Sequence, residues 1–157
     1  AVLGSHNMID FNRIGTTQST GVNLLSGSQD NQVTHNTIYG SAYNGIRLTN
    51  SHGNTLLANI IGLEPDGLSP WANVLDGIAL YNSSDNILTE NTIGANHGSG
   101  ILVNAGERNR VESNSIGLGK DLKTSRGNLQ YGIWLQNGSV DNKLFSNWIA
   151  GNAWSGV

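Results

Sequence analysis

Cysteine is absent from this chain of 157 residues, proline occurs only twice, and charged residues make up only 12% of it. Without cysteine, the chain has neither a disulfide framework nor a thiolate metal site. No apolar run approaches the roughly 20 residues that cross a bilayer, so no membrane-spanning segment is expected. The lysines and arginines are scattered and form no basic stripe, so we expect no nucleic-acid partner.

Glycine and regularly spaced apolar residues are what the chain has in abundance. It contains 21 glycines, and 37% of its residues are hydrophobic, which predicts a packed core rather than disorder. A glycine followed by isoleucine or valine recurs at alternating short (23 or 24) and long (32) intervals. The repeat is therefore a pair of units, one short and one long. The recurring glycines are Gly21, Gly45, Gly77, Gly100, Gly132 and Gly156.

Every unit also contains two asparagines five residues apart, each followed two residues later by an apolar residue. This spacing is too tight for helical turns and predicts two short strands separated by a bend. We expect the second asparagine to form that bend in the left-handed conformation, which asparagine tolerates. With units stacked about 4.8 Å apart, its amide is expected to join a hydrogen-bonded ladder. The predicted ladder consists of Asn12, Asn36, Asn59, Asn91, Asn114 and Asn147.

The same pattern predicts three strands in each unit, or coil. The first strand has the form Gly-Ile-x-Leu, and the second and third strands follow the two asparagines. The predicted fold class is all-β: a parallel solenoid with three short strands per coil and about six coils. A leucine-rich repeat has a similar period, but it needs a helical segment that the short, Gly- and Ser-rich connections cannot supply.

Two segments share the pattern Asn-x-Ile-Gly-Leu, beginning at Asn59 and Asn114. With the Gly-Ile strands, they resemble the right-handed parallel β-helix repeats of the pectate-lyase-like superfamily, over the whole chain. They are most similar to the alternating long and short coils of large secreted bacterial β-helix proteins. This chain has Leu63-Glu64 and Leu118-Gly119 where those proteins typically have an Ile-Gly-Thr-Asp loop. The resemblance implies an extracellular or cell-surface location and no single reaction, because enzymes and non-catalytic proteins share this architecture.

Residues 1–157 are expected to form a single β-helix segment. Ala1 lies within a first strand, Val157 lies where the next first strand begins, and neither end carries a polar capping unit. Solenoids generally need such caps for solubility. We therefore expect either a window from a longer solenoid or subunits that stack end to end.

The outward positions of the first strands predict a surface for carbohydrate. Three residues are expected to face outward there: Arg47, Tyr81 and Trp134. The aromatic rings can cover the apolar side of a pyranose, and the arginine can reach its hydroxyls or carboxylates. Two long connections, residues 63–76 and 118–131, are expected to flank this face. They add four candidate carbohydrate-contacting residues: Trp71, Asp66, Asp121 and Arg126. In the alternative, structural interpretation, the aromatic residues of this face pack under the two connections.

We interpret the chain as a rigid, non-catalytic extracellular scaffold or adhesin-like segment with carbohydrate contact on the first-strand face. The alternative is a fragment of a polysaccharide lyase or glycoside hydrolase acting on that face. A hydrolase needs paired carboxylates, and Asp66 with Asp121, at corresponding places two coils apart, form the candidate pair. No residue is assigned to catalysis, and calcium enters only under the lyase alternative. The four histidines occupy four different coil positions, so no metal site is predicted.

Overall fold

Seventeen short strands, wound into coils of three, form three parallel sheets in the computed structural model, which describes residues 1–157. Each strand pairs with the equivalent strand of the coils before and after it, and never with a neighbour in its own coil. The predicted parallel solenoid with three strands per coil is therefore confirmed. None of its segments forms a helix with the length and apolar character that a membrane crossing requires.

The three sheets are named after the position of their strands in the coil. The second-strand sheet contains β1 (Met8–Asp10), β4 (Gln32–Thr34), β7 (Thr55–Leu57), β10 (Ile87–Thr89), β13 (Arg110–Glu112) and β16 (Lys143–Phe145). The third-strand sheet contains β2 (Arg13–Gly15), β5 (Thr37–Tyr39), β8 (Ile60–Ile61), β11 (Thr92–Ile93), β14 (Ser115–Ile116) and β17 (Trp148–Ile149). The first-strand sheet contains β3 (Val22–Leu24), β6 (Ile46–Thr49), β9 (Ile78–Tyr81), β12 (Ile101–Asn104) and β15 (Ile133–Gln136).

The core is a set of aliphatic columns that run along the solenoid. In the first-strand sheet, for example, Ile46, Ile78 and Ile101 lie in register and are fully buried. Seventeen buried aliphatic residues form one continuous cluster. Burying each of them is worth roughly 1.5–3 kcal/mol relative to exposure, and this gain accrues only when coils stack.

The predicted asparagine ladder is confirmed. The side-chain oxygen of Asn91 accepts both the backbone N–H and the side-chain amide of Asn59, each at 2.9 Å. Asn91 in turn donates both groups to the oxygen of Asn114, at 3.0 and 2.9 Å. The first asparagines of the coils form a second ladder, from Asn7 to Asn142. A third ladder, absent from the sequence prediction, comprises Asn73, Asn96, Asn128 and Asn152.

The predicted position of the left-handed bend is wrong by one residue. The positive φ belongs to the residue before each ladder asparagine, with values between 53° and 56°. Turning the chain one residue early directs the asparagine inward, where its N–H and its amide both reach the same oxygen of the next coil. The ladder therefore decides where the corner lies. The residues that adopt it are Phe11, His35, Ala58, Glu90, Ser113 and Ser146.

Two hairpin-like loops leave the third-strand sheet, and we call residues 63–71 the first loop and residues 118–126 the second loop. Each is closed by an antiparallel bridge, Leu63 to Pro70 in the first and Leu118 to Ser125 in the second. The loops touch each other although they start two coils apart. The N–H of Lys120 donates to the carbonyl of Gly67 at 2.9 Å, and the guanidinium of Arg126 donates to the carbonyl of Leu68.

Candidate functional site

The outward side of the first-strand sheet carries two columns of side chains, in the predicted register. The first column holds Asn23, Arg47, Ala79, Leu102 and Trp134. The second column holds Thr49, Tyr81, Asn104 and Gln136. Successive members of a column lie one strand spacing apart, about 4.8 Å. Small and apolar residues therefore separate an Arg–Tyr end of this first-strand face from a tryptophan end.

Arg47 and Tyr81 form one contact unit on the first-strand face. The guanidinium carbon of Arg47 lies 4.8 Å from the centre of the Tyr81 ring, a cation–π distance. Its Nε donates to the hydroxyl of Thr49 at 3.2 Å. Arg47 takes part in none of the ion pairs of the structure, so its terminal nitrogens are available to an incoming anion. Burial raises the pKa of Tyr81, and the nearby charge of Asp76 adds to the increase.

The tryptophan end of the face is an aromatic cluster. The ring of Tyr131 lies 4.9 Å from that of Trp134 and 5.1 Å from that of Trp154, with the second contact edge-on. Trp134 is half-buried, whereas Trp154 is largely exposed. Part of the structural interpretation is thus observed, because Tyr131 of the second long connection packs on Trp134. The outer surface of the cluster still faces solvent.

Asp76 is a buried carboxylate at the edge of the first-strand face, one residue before the strand glycine. Its oxygens accept the N–H of Ser99 at 2.8 Å and the side-chain amide of Asn44 at 3.2 Å. Burial raises the pKa of this carboxyl above its ordinary value. The sequence analysis grouped Asp76 with the long connection. Its alignment with Asn44 and Ser99, each directly before a strand glycine, is the signal that places it in the coil wall.

The loop residues proposed as carbohydrate contacts have partners outside the first-strand face. Trp71 packs on Tyr39 of β5 with the ring centres 5.0 Å apart. The carboxylate of Asp66 caps its own turn, accepting the hydroxyl of Ser69 at 2.6 Å and two backbone N–H groups. No hydrogen bond, ion pair or ring contact joins these loop residues to Arg47, Tyr81 or Trp134.

Asp121 repeats the turn of Asp66 in the second loop. It accepts the hydroxyl of Thr124 at 2.6 Å and the N–H groups of Lys123 and Thr124 at 3.0 and 2.9 Å. The Thr124 hydrogen bond is the main reason that the pKa of Asp121 falls to about 2. Each carboxylate of the predicted Asp66–Asp121 pair is therefore engaged within its own loop. Arg126, the remaining candidate, holds the two loops together through Leu68.

The prediction that the loops flank the first-strand face is wrong for the loop tips. Lys120 and Leu122 instead overhang the third-strand sheet, where they line a groove with Thr92, Ser115 and Trp148. The tips lean that way because the two loops bond to each other rather than to β9 or β12. Sequence reasoning missed this groove. The sequence contained two signals of the groove. One is the outward tryptophan Trp148 in the third-strand column, and the other is a leucine, Leu122, at the second-loop position equivalent to Gly67.

A wider groove lies beside the second-strand sheet and is lined mainly by charged residues, including Asp85, Arg108 and Lys143. Arg108 is already engaged there. It forms two hydrogen bonds with Asp85, at 2.8 and 2.9 Å, and one with Glu107 at 2.7 Å. These exposed pairs are surface ion pairs, which contribute little to stability.

The structure brings together no group of three or more His, Cys, Asp or Glu side chains that would hold a metal ion. The histidines have separate local partners. His35 bonds to Asp10 at 3.0 Å and stacks on Phe11, and the ring of His52 accepts the N–H of Ser84 at 3.1 Å.

Two solved structures illustrate the similarity of this chain to carbohydrate-active proteins. The periplasmic alginate epimerase AlgG aligns with a TM-score of 0.68 and 19% identity, over 94% of this chain and 37% of that protein. The A-module of the mannuronan C-5 epimerase AlgE4 from Azotobacter vinelandii aligns with a TM-score of 0.54 and 17% identity, over 98% of this chain and 58% of that module. At these identities the similarity shows the fold alone.

The chain spans less than two fifths of AlgG. No curated protein matches it. The family model of the right-handed β-helix region matches residues 1–149. This match agrees with the three parallel sheets, and the chain therefore belongs to the right-handed β-helix family.

Proposed function

We propose that the chain is a non-catalytic β-helix scaffold whose first-strand face binds an acidic polysaccharide. The observation that carries the proposal is the Arg47–Tyr81 pair. A guanidinium lies over an aromatic ring at 4.8 Å and is without a carboxylate partner. Such a group is suited to a uronate, because the guanidinium bonds to the carboxylate while the ring packs against the sugar.

The arrangement along the sheet supports an extended ligand rather than a single sugar. Arg47 and Trp134 belong to the same column, three strand spacings apart, which is roughly 14 Å. Ala79 and Leu102 between them are buried, so the contacts with the ligand come from the two ends of the column. Asn104 and Gln136 lie in the neighbouring column, where the amide of Gln136 and the amide nitrogen of Asn104 are available to hydroxyl groups, while the amide oxygen of Asn104 accepts from Asn137.

The structural neighbours support the proposed ligand class and location. Their names identify them as enzymes of alginate and mannuronan, which are polymers of uronic acids. AlgG is named as periplasmic, which supports a secreted, extracellular or cell-surface protein here. The chain is proposed to share the polymer class with these proteins.

A catalytic function is the second candidate, since the neighbours are epimerases and since Arg47, Tyr81 and Asp76 lie near one another. Proton abstraction from a sugar requires a general base matched to the working pH. The raised pKa of Tyr81 disfavours its anionic form, and the Asp76 carboxylate, although burial raises its pKa as well, is hydrogen-bonded to two partners. These features support binding better than proton transfer.

The test is calorimetric titration of the chain with hexamannuronate, comparing Arg47→Ala with Arg110→Ala. Arg110 is the control, because its guanidinium also lies near a ring, 5.0 Å from that of Phe145 on the second-strand sheet, but is paired with Glu112 at 2.7 Å. We expect Arg47→Ala to weaken binding about tenfold or more, since a charge-assisted hydrogen bond is lost, and Arg110→Ala to leave it unchanged. Equal losses, or no binding by the unaltered chain, contradict the proposal. Unsaturated or epimerised products after incubation establish the catalytic alternative.

A further inference from the structure

The groove beneath the second loop lies on the third-strand sheet and not on the first-strand face. It encloses about 430 Å³, within the roughly 300–1,000 Å³ typical of small-molecule sites. We infer that this groove is a second carbohydrate site, which takes a short neutral pyranose oligosaccharide. The inference does not depend on the proposed function of the first-strand face.

The floor of the groove is a row of three side chains in register. Thr92 of β11 pairs with Ser115 of β14, which pairs with Trp148 of β17. The hydroxyl of Thr92 and the indole of Trp148 therefore lie two strand spacings apart, about 10 Å, with the buried Ser115, whose hydroxyl donates to the carbonyl of Leu118, between them. This sequence of groups is suited to a pyranose chain, whose rings have an apolar side and a rim of hydroxyls.

Trp148 differs from the other tryptophans of the chain. Trp71 packs on Tyr39, and Trp134 and Trp154 both pack on Tyr131. Trp148 has no aromatic partner and is 60% exposed. A large ring exposed at the end of a groove lined by polar groups indicates a contact surface rather than core packing.

The second loop supplies the opposite wall and holds it rigidly. Asp121 fixes the turn through three hydrogen bonds, and Lys120 is tied to Gly67 of the first loop at 2.9 Å. A wall that is ordered before the ligand arrives reduces the entropy cost of binding.

Leu122 is the unusual residue of this wall. Its φ is 56°, a left-handed conformation that a leucine adopts only at a cost, whereas the equivalent residue of the first loop is Gly67 with φ 69°. The side chain of Leu122 lines the groove and is 43% exposed, so core packing does not offset the strain. A contact with a ligand explains why a leucine occupies this strained position.

The repeat does not produce this groove automatically. At the positions of the first loop equivalent to Lys120 and Leu122 the chain has Pro65 and Gly67. The floor of that region has Ile60 where the second has Ser115. It also has Thr92 where the second has Trp148. Only the threonine is common to both regions, Thr37 under the first loop and Thr92 under the second, whereas Ser115, Trp148, Lys120 and Leu122 are specific to the second region.

The charges around the groove favour a neutral ligand. Glu90 and Lys120, one of each sign, line it, and neither takes part in an ion pair. The hydroxyls of a neutral sugar donate to the carboxylate and accept from the ammonium group. For a uronate, the attraction to Lys120 is opposed by the repulsion from Glu90, whereas Arg47 offers an anion a cation with no carboxylate partner.

The experiment is a titration of the full chain, labelled with ¹⁵N at its tryptophan indoles, with mannohexaose, cellohexaose, maltohexaose and hexamannuronate. We expect at least one neutral hexaose to shift the Trp148 signal while the Trp134 signal stays in place. Leu122→Gly introduces the residue of the first loop and is compatible with the fold. This variant and Trp148→Thr are expected to weaken binding at least tenfold, and Arg110→Ala to leave it unchanged.

Three results overturn the inference. The first is that none of the neutral hexaoses moves the Trp148 signal. The second is that Leu122→Gly binds as tightly as the unaltered chain, with circular dichroism confirming that both are folded. The third is that hexamannuronate moves the Trp148 signal at lower concentration than every neutral hexaose. Binding of hexamannuronate through Arg47 is scored separately by Arg47→Ala, so failure at one surface is distinguishable from failure at the other.

Discussion

The first and second loops have the same backbone design and different surfaces. Both leave a third strand, both are closed by an antiparallel bridge, and both turn on an aspartate that accepts two N–H groups and one hydroxyl. Yet the first loop has Pro65 and Gly67 where the second has Lys120 and Leu122. The second overhangs a groove, whereas the first serves as its support. The repeat therefore dictates the backbone, and a few side chains decide where a ligand can bind.

The residues that follow the two loops differ as well. The first connection ends in Asp76, a buried carboxylate with a raised pKa, and the second ends in Tyr131, the centre of an aromatic cluster. Both residues directly precede the glycine of a first strand. A charged and an aromatic residue at equivalent places give the first-strand face two different ends.

The largest expected effect comes from Asn91→Ala, in the short coil on which both loops depend. The change removes four side-chain hydrogen bonds and leaves the backbone N–H of Asn59 without its acceptor, while the side-chain amide of Asn59 keeps only the carbonyl of Val33. Unpaired buried groups cost about 1–3 kcal/mol each, so the free energy of unfolding is expected to fall by about 3–5 kcal/mol in urea denaturation. Asn104→Ala, which removes the acceptor of an exposed amide pair from a strand position, is the control. A similar loss in both variants contradicts the ladder as a main source of stability.

Gly67→Ala tests the contact between the loops. A Cβ at residue 67 lies 2.7 Å from the Cβ of Lys120, and the φ of 69° is unfavourable for alanine. We expect a loss of about 1–2 kcal/mol in the free energy of unfolding from the backbone conformation alone. Thermal unfolding measures it. An unchanged midpoint shows that the loops are not packed together as described.

Leu122→Gly makes the second loop more like the first and is expected to stabilise the chain slightly. Removing a left-handed leucine gains about 1–2 kcal/mol, and the greater flexibility of glycine in the unfolded chain offsets roughly 0.5–1 kcal/mol of it. A small rise in the unfolding midpoint, accompanied by loss of neutral-sugar binding, is the expected combination. A fall in the midpoint means that the Leu122 side chain contributes to folding rather than to binding.

Asp76→Asn removes a pH dependence of the unfolding free energy. The second connection, which ends in Tyr131, has no carboxylate at the equivalent position. Because burial raises the folded-state pKa of Asp76 above its unfolded value of 3.8, the stability associated with its protonation is present below pH 3.8 and is lost as pH rises through the folded pKa. The unfolding free energy of the variant, relative to that of the unaltered chain, should therefore increase from pH 4 to pH 7. Urea denaturation across this range checks the direction. A constant difference contradicts the buried-carboxylate assignment.

Much of the fold was predictable because the same pattern of asparagines and apolar residues occurs six times in the sequence. One coil illustrates this. The spacing between Asn86 and Asn91, together with the apolar residues after them, is sufficient to predict two strands, a corner and a ladder. The candidate site was predictable only in part. Arg47, Tyr81 and Trp134 follow from strand alternation, since every second residue of a strand faces outward. The prediction also put four loop residues beside them, Trp71, Asp66, Asp121 and Arg126, because the connections are long. The length of a loop gives no information about the direction in which it leans.

The sequence by itself determined the coil, the three sheets and the columns, because side-chain alternation and asparagine spacing are local properties that stacking copies from coil to coil. The tertiary structure alone decided two features. The corner lies one residue before each ladder asparagine, because the inward amide must reach the next coil. The loop tips lie over the third-strand sheet, because Lys120 and Arg126 bond to the first loop, more than fifty residues away in sequence. Contacts of that separation arise only when the coils are stacked.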